Sequence, residues 1–186
     1  YGKALGELAN SMKEETELEP VINVRSVPLK ILGANFVLII ARLLNVLNND
    51  ILRSGKRSQA YVASELGYME LGKNQVGIFL IPGELFPELW DGNFFPAELS
   101  ATGKNAEYHI LRDMSSCDHR FIIGLCNDEL GYIVPDNDFI VNEKIPYIEA
   151  ATDIHGRRHY EETNSTGPET ARTILDTTEA LIKSVK

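Results

Sequence analysis

Side chains that could carry chemistry stand in three short stretches, and the central one spans Arg120–Asp138 (RFIIGLCNDELGYIVPDND). Its apolar run, Phe121–Leu125, has the length and β-branched content of a buried strand. The run ends at Asn127-Asp128, where short polar side chains favour a turn, and Tyr132 follows five residues after Asn127. A buried strand that delivers a polar corner and a fixed tyrosine is a common active-site edge. The alternative interpretation is a strand, a turn and a core tyrosine.

The two other stretches lie on either side of the central one. Upstream, Ile78–Glu84 reads IFLIPGE, so an apolar strand ends at a Pro-Gly-Glu. The glycine allows another backbone to approach closely, and the carboxylate of Glu84 emerges at the strand's end. Downstream, His159–Thr166 reads HYEETNST and offers Tyr160 beside a histidine.

Composition and charge restrict the class of protein. The 186 residues are 44% hydrophobic and 24% charged, which is ordinary for one globular domain with a core. The net charge of −9 and the lack of a long basic cluster argue against a nucleic-acid partner and against a polybasic membrane patch. Cys117 and Cys126 could pair, but no CxxC or Cys/His spacing typical of a zinc ribbon is present. No signal peptide precedes Tyr1, and the helix-like start indicates a piece of a longer protein.

The first half of the chain alternates between helix and strand patterns. Leu5, Leu8, Ala9 and Met12 have helical spacing, so an amphipathic surface helix is predicted over about Gly2–Glu15. The other predicted elements are a strand over Val21–Leu29 with Pro28 at an edge or end, a core helix rather than a membrane anchor over Ala34–Leu52, and an antiparallel hairpin formed by Tyr61–Leu71 and Val76–Ile81.

The second half is irregular until a final helix. Phe86–Lys104 is rich in aromatic residues, Pro and Gly, and it either lines an apolar cleft or covers the core. Asn137–Tyr147 is predicted to be irregular or strand-like. A helix is predicted over Pro168–Val185, with a capping box formed by Thr166 and Glu169. Its core-facing residues are expected to be Ile174, Leu175, Ala180 and Leu181.

These elements predict an α+β fold in a single domain, residues 1–186, with antiparallel-rich sheet layers packed against helices. The strand over residues 120–126 is expected in the same sheet as the hairpin.

The three stretches together, PGE at 82–84, GLCNDELGY at 124–132 and HYEETNSTGP at 159–168, resemble the distal half of the catalytic domain of neutral/alkaline, non-lysosomal ceramidases. In that family a strand pair runs into a Pro-Gly-Glu, and a strand end carries an asparagine with a tyrosine five residues later. A Tyr-Glu turn rich in Ser and Thr then precedes a helix. The order and rough spacing of the three stretches agree, and the resemblance covers most of the chain from about Val21.

The resemblance implies that Glu84 and Tyr132 are zinc ligands and that Tyr160 is a catalytic hydroxyl, which hydrogen-bonds the substrate carbonyl or the developing oxyanion. A carboxylate and a phenol oxygen are hard ligands suited to Zn²⁺. If both bind one ion, the two oxygens should be about 3–4 Å apart. The family's substrate class implies a lipid or amide partner, a place in sphingolipid metabolism and part of a larger α/β sandwich catalytic domain. Its relatives are often secreted or surface-associated.

The chain also departs from the family pattern. The family's two histidine ligands and its Gly-Asp-x-Ser-Pro-Asn motif lie upstream of the part seen here, so the N-terminal part of the same domain is an expected partner. His109, His119, His155 and His159 stand outside the family's ligand positions, and we expect them in solvated loops or caps. Glu129 replaces a tyrosine, and Val134-Pro135 replaces a threonine pair, so the substrate can differ from ceramide.

Two other functions remain open at this stage. The scaffold could be a catalytically silent binding or structural domain, which the missing ligands favour. A carboxylate-pair glycosidase could be built from Glu84 with Glu88 or Glu129, although helical neighbours at i and i+4 are typical of a solvated face.

Overall fold

The structure is a computed structural model that describes residues 1–48, 50–53 and 60–184. The fold is α+β, with helices and a mixed, mostly antiparallel sheet. Its elements in chain order are α1 (Gly2–Ser11), β1 (Ile22–Gly33), α2 (Phe36–Leu43), β2 (Asp50–Arg53), β3 (Ala60–Leu71), β4 (Val76–Leu80), β5 (Glu84–Leu85), α3 (Glu88–Asp91), α4 (Leu111–Met114), β6 (His119–Ile123), β7 (Tyr132–Ile133), β8 (Ala151–Thr152), β9 (Arg158–His159), a 3₁₀ helix (Glu161–Asn164) and α5 (Thr170–Lys183).

The main sheet has the order β1-β3-β4-β6, and β2 also pairs with β3. β3 runs antiparallel to β1, from Ile22 opposite Leu71 to Gly33 opposite Ala60, and antiparallel to β4 across a turn at residues 72–75. β4 and β6 are parallel. The predicted hairpin is therefore confirmed, and the strand expected over 120–126 lies in the same sheet. Pro28 lies within β1, which is an outer strand, and a missing backbone donor is tolerated there.

The core lies between one face of this sheet and α5. Leu29 and Ile31 of β1 and Leu66 of β3 are buried on that face, and Phe79 of β4 lies among them. α5 contributes buried residues at helical spacing: Ile174, Leu175, Thr178, Leu181 and Ile182. The helix prediction is confirmed, but Ala180 is exposed, and Val185 lies outside the described residues. Phe86, Trp90 and Phe94 pack against this core, so the aromatic segment 86–104 covers it.

The opposite face of the sheet is apolar but open. Alternation along the strands puts Ile22 and Val24 of β1, Ile78 of β4, and Phe121 and Ile123 of β6 on this face. The side chain of Phe121 is 55% exposed and that of Ile123 is 48% exposed. The prediction of a buried strand over Phe121–Leu125 is therefore wrong: β6 is an outer strand, and only Ile122 packs against the core.

Two helix predictions need correction. α1 ends at Ser11 rather than at Glu15, and none of its residues is buried. The predicted core helix over Ala34–Leu52 is wrong, because α2 covers only Phe36–Leu43, has no fully buried residue, and is followed by a turn and β2. In the described residues, no helix is both long and apolar enough to cross a membrane.

The predicted capping box is also wrong. The hydroxyl of Thr166 donates to the carbonyl oxygen of Leu130 at 2.9 Å, and Glu169 occupies the N-cap of α5 without a side-chain capping bond. The segment Asn137–Tyr147 is irregular, as expected.

Candidate functional site

The candidate site is built where the parallel strands β4 and β6 end. Beyond Leu80 and Ile123 the two segments of the chain remain paired, because Ile81 N donates to Ile123 O at 2.9 Å and Cys126 N donates to Ile81 O at 3.0 Å. Leu125 N then donates to Gly83 O at 3.1 Å. The carboxyl ends of parallel strands are where α/β sheets commonly bind ligands.

Glu84 and Tyr132 are cross-strand partners in a second, two-stranded sheet. β5 and β7 are parallel, with Glu84 opposite Tyr132 and Leu85 opposite Ile133. Glu84 N donates to Gly131 O at 3.0 Å, and Phe86 N donates to Ile133 O at 3.2 Å. Residues opposite each other in paired strands project from the same face. The two residues that the resemblance implies as zinc ligands are therefore side by side.

Two glycines permit this close arrangement. A Cβ atom built on Gly83 would lie 2.7 Å from the carbonyl oxygen of Gly131, so a larger residue cannot fit without a backbone shift. Gly131 has a φ of 79°, a conformation that favours glycine, and it forms an isolated bridge with Ser165. The expectation of a close backbone approach at Gly83 is confirmed. The Gly131–Ser165 bridge brings the segment after Tyr160 against the strand that carries Tyr132.

The ring of Tyr160 contacts the ring of Tyr132 edge to face, with centroids 6.0 Å apart. Phe86 also packs edge to face on Tyr132, at 6.4 Å. Tyr160 is 50% exposed, so part of the residue is accessible to a ligand. Its backbone is fixed by local bonds: Tyr160 N donates to a carboxylate oxygen of Glu161 at 2.9 Å, and its carbonyl accepts from the Thr163 hydroxyl at 2.6 Å. The structure thus brings Glu84, Tyr132 and Tyr160 together.

The electrostatics of Tyr132 agree with this convergence. A hydrogen bond with the Tyr160 hydroxyl, followed by the negative charge of Glu84, raises the pKa of Tyr132 to about 12. Both neighbours disfavour a phenolate in the metal-free protein. A divalent cation between the carboxylate and the phenol would oppose both effects, because it stabilises negative charge on its ligands.

The metal-ligating capacity of this site is limited. Glu84 and Tyr132 supply two oxygen atoms, whereas a zinc site takes three or four protein ligands. Among the described residues, no group of three or more His, Cys, Asp and Glu side chains is arranged to hold a metal ion. These two residues fit part of a zinc coordination sphere and do not close one.

A second polar cluster surrounds His159. Its side chain is buried, with Nε2 3.3 Å from Asp153 Oδ2 and Nδ1 3.3 Å from Glu162 Oε1. Arg157 forms an ion pair with Asp153 at 2.6 Å. The expectation of a solvated loop or cap position is therefore wrong for His159, because its imidazole is buried between two carboxylates that compensate the burial. His109 and His155 are exposed and lie outside helices and strands, as expected. His119 is also exposed, but it is the first residue of β6 rather than part of a loop or cap.

The two carboxylates of this cluster differ in their environments. Burial acts to raise the pKa of Asp153, but hydrogen bonds from Arg157 and His159 outweigh it and hold the pKa well below its usual range. Burial raises the pKa of Glu162. The stabilisation from Asp153 is present above the usual aspartate pKa and is lost as the pH falls through the lowered value. The cluster fixes the residues on both sides of Tyr160.

Some contributors were not expected from the sequence. Asp153 lies outside the three stretches, and Glu162 lies within the third but was assigned no role. Asn35 ties α2 to the segment after Tyr160 through bonds to Thr163 O and Ser165 O. Asn35 directly precedes a helical pattern, which is a typical N-cap signal that could have identified it. Glu84 and Glu88 do not share a helix face, since Glu84 lies in β5 and Glu88 lies in α3. Cys117 and Cys126 are free thiols.

Comparisons of this chain with protein-family models, with curated proteins and with solved structures find no match. The features of this chain that bear on function are the convergence of Glu84, Tyr132 and Tyr160 and the order of the three stretches that carry them.

Proposed function

We propose that this chain is the distal part of the catalytic domain of a zinc-dependent amidase that resembles the neutral ceramidases. The reaction is hydrolysis of the N-acyl amide of ceramide or a related substrate to a fatty acid and an amine. One observation carries the proposal: Glu84 and Tyr132 are cross-strand partners, and the ring of Tyr132 contacts Tyr160. Residues far apart in the sequence converge in the combination that the resemblance implies.

Each of the three side chains has a chemical role in this proposal. The Glu84 carboxylate and the Tyr132 oxygen hold one side of the zinc ion, and two histidines from the upstream part of the domain complete the ligand set. Zinc, when bound, polarises the amide carbonyl and lowers the pKa of a bound water. The hydroxyl of Tyr160, a residue that is half exposed, donates a hydrogen bond to the oxygen on which negative charge develops.

The proposal is tested by measuring zinc affinity and amide hydrolysis for residues 1–186 alone and together with the upstream polypeptide. Alone, the chain should show no measurable turnover with added zinc, because two ligands do not fix the metal's geometry. With the upstream polypeptide, turnover should appear, and Glu84→Gln should abolish it together with tight zinc binding. Glu98→Gln, which changes an exposed carboxylate outside the site, is the matched control.

Chelator-sensitive hydrolysis by residues 1–186 alone would show that the site lies elsewhere. Zinc affinity that is equal in the Glu84→Gln and Glu98→Gln proteins would exclude Glu84 as a ligand.

A second candidate is a catalytically silent binding or structural domain on the same scaffold. It is favoured by the absence, among the described residues, of a group of three or more side chains able to hold a metal. Under this function the complex with the upstream polypeptide would form but would neither bind zinc at Glu84 nor hydrolyse an amide.

A further inference from the structure

An apolar pocket of about 250 Å³ lies beside the candidate site, between α2, β2, the start of β3 and the segments that flank the Gly131–Ser165 bridge. Its apolar lining is aliphatic: Leu38, Ile39, Leu47, Ile51, Val62 and Leu130. Arg42 and Glu129 also line it, and Arg42 forms an ion pair with Asp50 at 3.6 Å. A ligand that fills this pocket is therefore aliphatic and uncharged along its length.

The walls of the pocket are fixed to the backbone of the candidate site. Asn35 caps α2 by accepting from Val37 N at 3.0 Å, and its amide donates to Ser165 O at 2.9 Å. On the opposite wall, the Thr166 hydroxyl donates to Leu130 O at 2.9 Å. These bonds tie the helix that forms one side of the pocket to the segment after Tyr160.

The lining continues into the segments that carry the two tyrosines. Gly131, which lines the pocket, directly precedes Tyr132, and Asn164 closes the 3₁₀ helix that follows Tyr160. A group held in the pocket therefore lies against the Gly131–Ser165 bridge, which joins the segments that carry the two tyrosines.

The volume limits the size of the group. An apolar cavity of roughly 150 Å³ accepts benzene, whereas pockets for drug-sized ligands begin at about 300 Å³. By proportion, a pocket of about 250 Å³ holds an aliphatic chain of roughly six to ten carbon atoms. The long chains of a ceramide exceed this volume.

We infer that this pocket binds the acyl group of the amide substrate and that the preferred substrates are N-acyl amides of medium chain length rather than long-chain ceramides. The identity of the bound group as an acyl chain rests on the proposed amidase function. The binding itself requires neither zinc nor turnover, so it can be measured on the chain as described.

The test uses a series of N-acylglycines with unbranched chains of four to fourteen carbon atoms, titrated into residues 1–186 by calorimetry and by NMR of the methyl groups. Each methylene that enters the pocket should raise the affinity about fourfold. The gain should stop at about eight to ten carbon atoms, where the chain leaves the pocket. Absence of saturable binding would overturn the inference, as would a constant gain through fourteen carbon atoms.

Two variants and a control locate the binding. Leu38→Trp should fill the pocket and weaken binding of the eight-carbon ligand at least about tenfold. Ile51→Ala enlarges the pocket and should move the plateau to longer chains, which provides the test if Leu38→Trp fails to fold. Leu44→Trp is the control, because Leu44 is 69% exposed and does not line the pocket. Binding that is unchanged in both pocket variants would overturn the assignment.

The outcomes separate this inference from the proposed function. If the chain binds medium-length acyl groups in the pocket but its complex with the upstream polypeptide binds no zinc at Glu84, the acyl-binding inference stands and the amidase proposal is contradicted. If the complex is a zinc-dependent amidase but the isolated chain shows no plateau in the acyl series, only the acyl-binding inference is contradicted.

Discussion

Among single residues, Tyr132 is the one whose pKa depends most directly on the assembly of the candidate site. Its phenol lies beside the Glu84 carboxylate in the cross-strand pair and meets Tyr160 edge to face. The Tyr160 hydrogen bond and the Glu84 charge both stabilise the neutral phenol, so its pKa depends on contacts that exist only in the folded chain. A single titration therefore tests the geometry of three side chains.

We expect Tyr132 to titrate near pH 12 in the metal-free protein and Tyr160→Phe to lower this pKa toward the ordinary tyrosine value of about 10. The direction follows because the substitution removes the hydrogen bond that favours the neutral form. NMR of Tyr residues labelled at the ring carbon that bears the hydroxyl measures each pKa separately. Tyr61→Phe is the control and should leave Tyr132 unchanged. A wild-type pKa near 10 would mean that the three side chains do not converge.

At the scale of elements, the site depends on two very short strands. β5 and β7 contain two residues each, and their pairing is continued by the contacts of Gly83 with Gly131 and of Gly131 with Ser165. A two-residue ladder contributes few hydrogen bonds of its own. The backbone approach at Gly83 therefore sets the separation of Glu84 from Tyr132.

Gly83→Ala should destabilise the fold by about 1–3 kcal/mol, because the added Cβ would lie 2.7 Å from a backbone oxygen that cannot move alone. It should also displace Glu84 and lower the Tyr132 pKa. Urea denaturation gives the free energy of unfolding, and the NMR titration gives the local effect. Gly6→Ala is the matched control, since nothing lies within 4 Å of its added Cβ and alanine favours the helix. Equal stability of the two variants would contradict the close approach.

At the scale of the whole molecule, the open apolar face of the main sheet is its most unusual feature. The exposed members of this face include Ile22, Val24, Phe121 and Ile123. Strands with apolar side chains on both faces are typical of sheets that are covered on both sides. Contiguous exposed apolar surface promotes association with another surface.

Residues 1–186 should therefore self-associate with rising concentration, and the double substitution Phe121→Lys with Ile123→Lys should weaken this association at least about tenfold. Sedimentation velocity over a concentration series measures the effect. Ile148→Lys with Ile154→Lys is the control, because both residues are exposed but lie in irregular segments outside the sheet. A wild-type chain that stays monomeric at millimolar concentration would contradict the prediction.

Elements whose signals are local could be predicted from the sequence. The turn residues Gly72–Gln75 between two apolar runs specified the β3–β4 hairpin, and the helical spacing of Ile174, Leu175 and Leu181 specified α5. It also indicated Glu84, Tyr132 and Tyr160, because the three stretches that carry them resemble, in the same order, stretches of the neutral ceramidases. The close approach at Gly83 was predictable from the residue type, since glycine lets another backbone come near.

The way these elements meet, and which of their surfaces are covered, could not be predicted without the fold. Apolar content suggested a long core helix over Ala34–Leu52 and a buried strand at Phe121–Leu125, but burial depends on neighbours that are remote in sequence. His159 is buried between the carboxylates of Asp153 and Glu162, which are near it in the sequence, but no sequence motif marks the turn that brings all three together. Glu84 pairs with Tyr132 because the parallel strands β4 and β6 end at the same edge of the sheet. The segments that follow these two strands remain hydrogen-bonded to each other as far as β5 and β7.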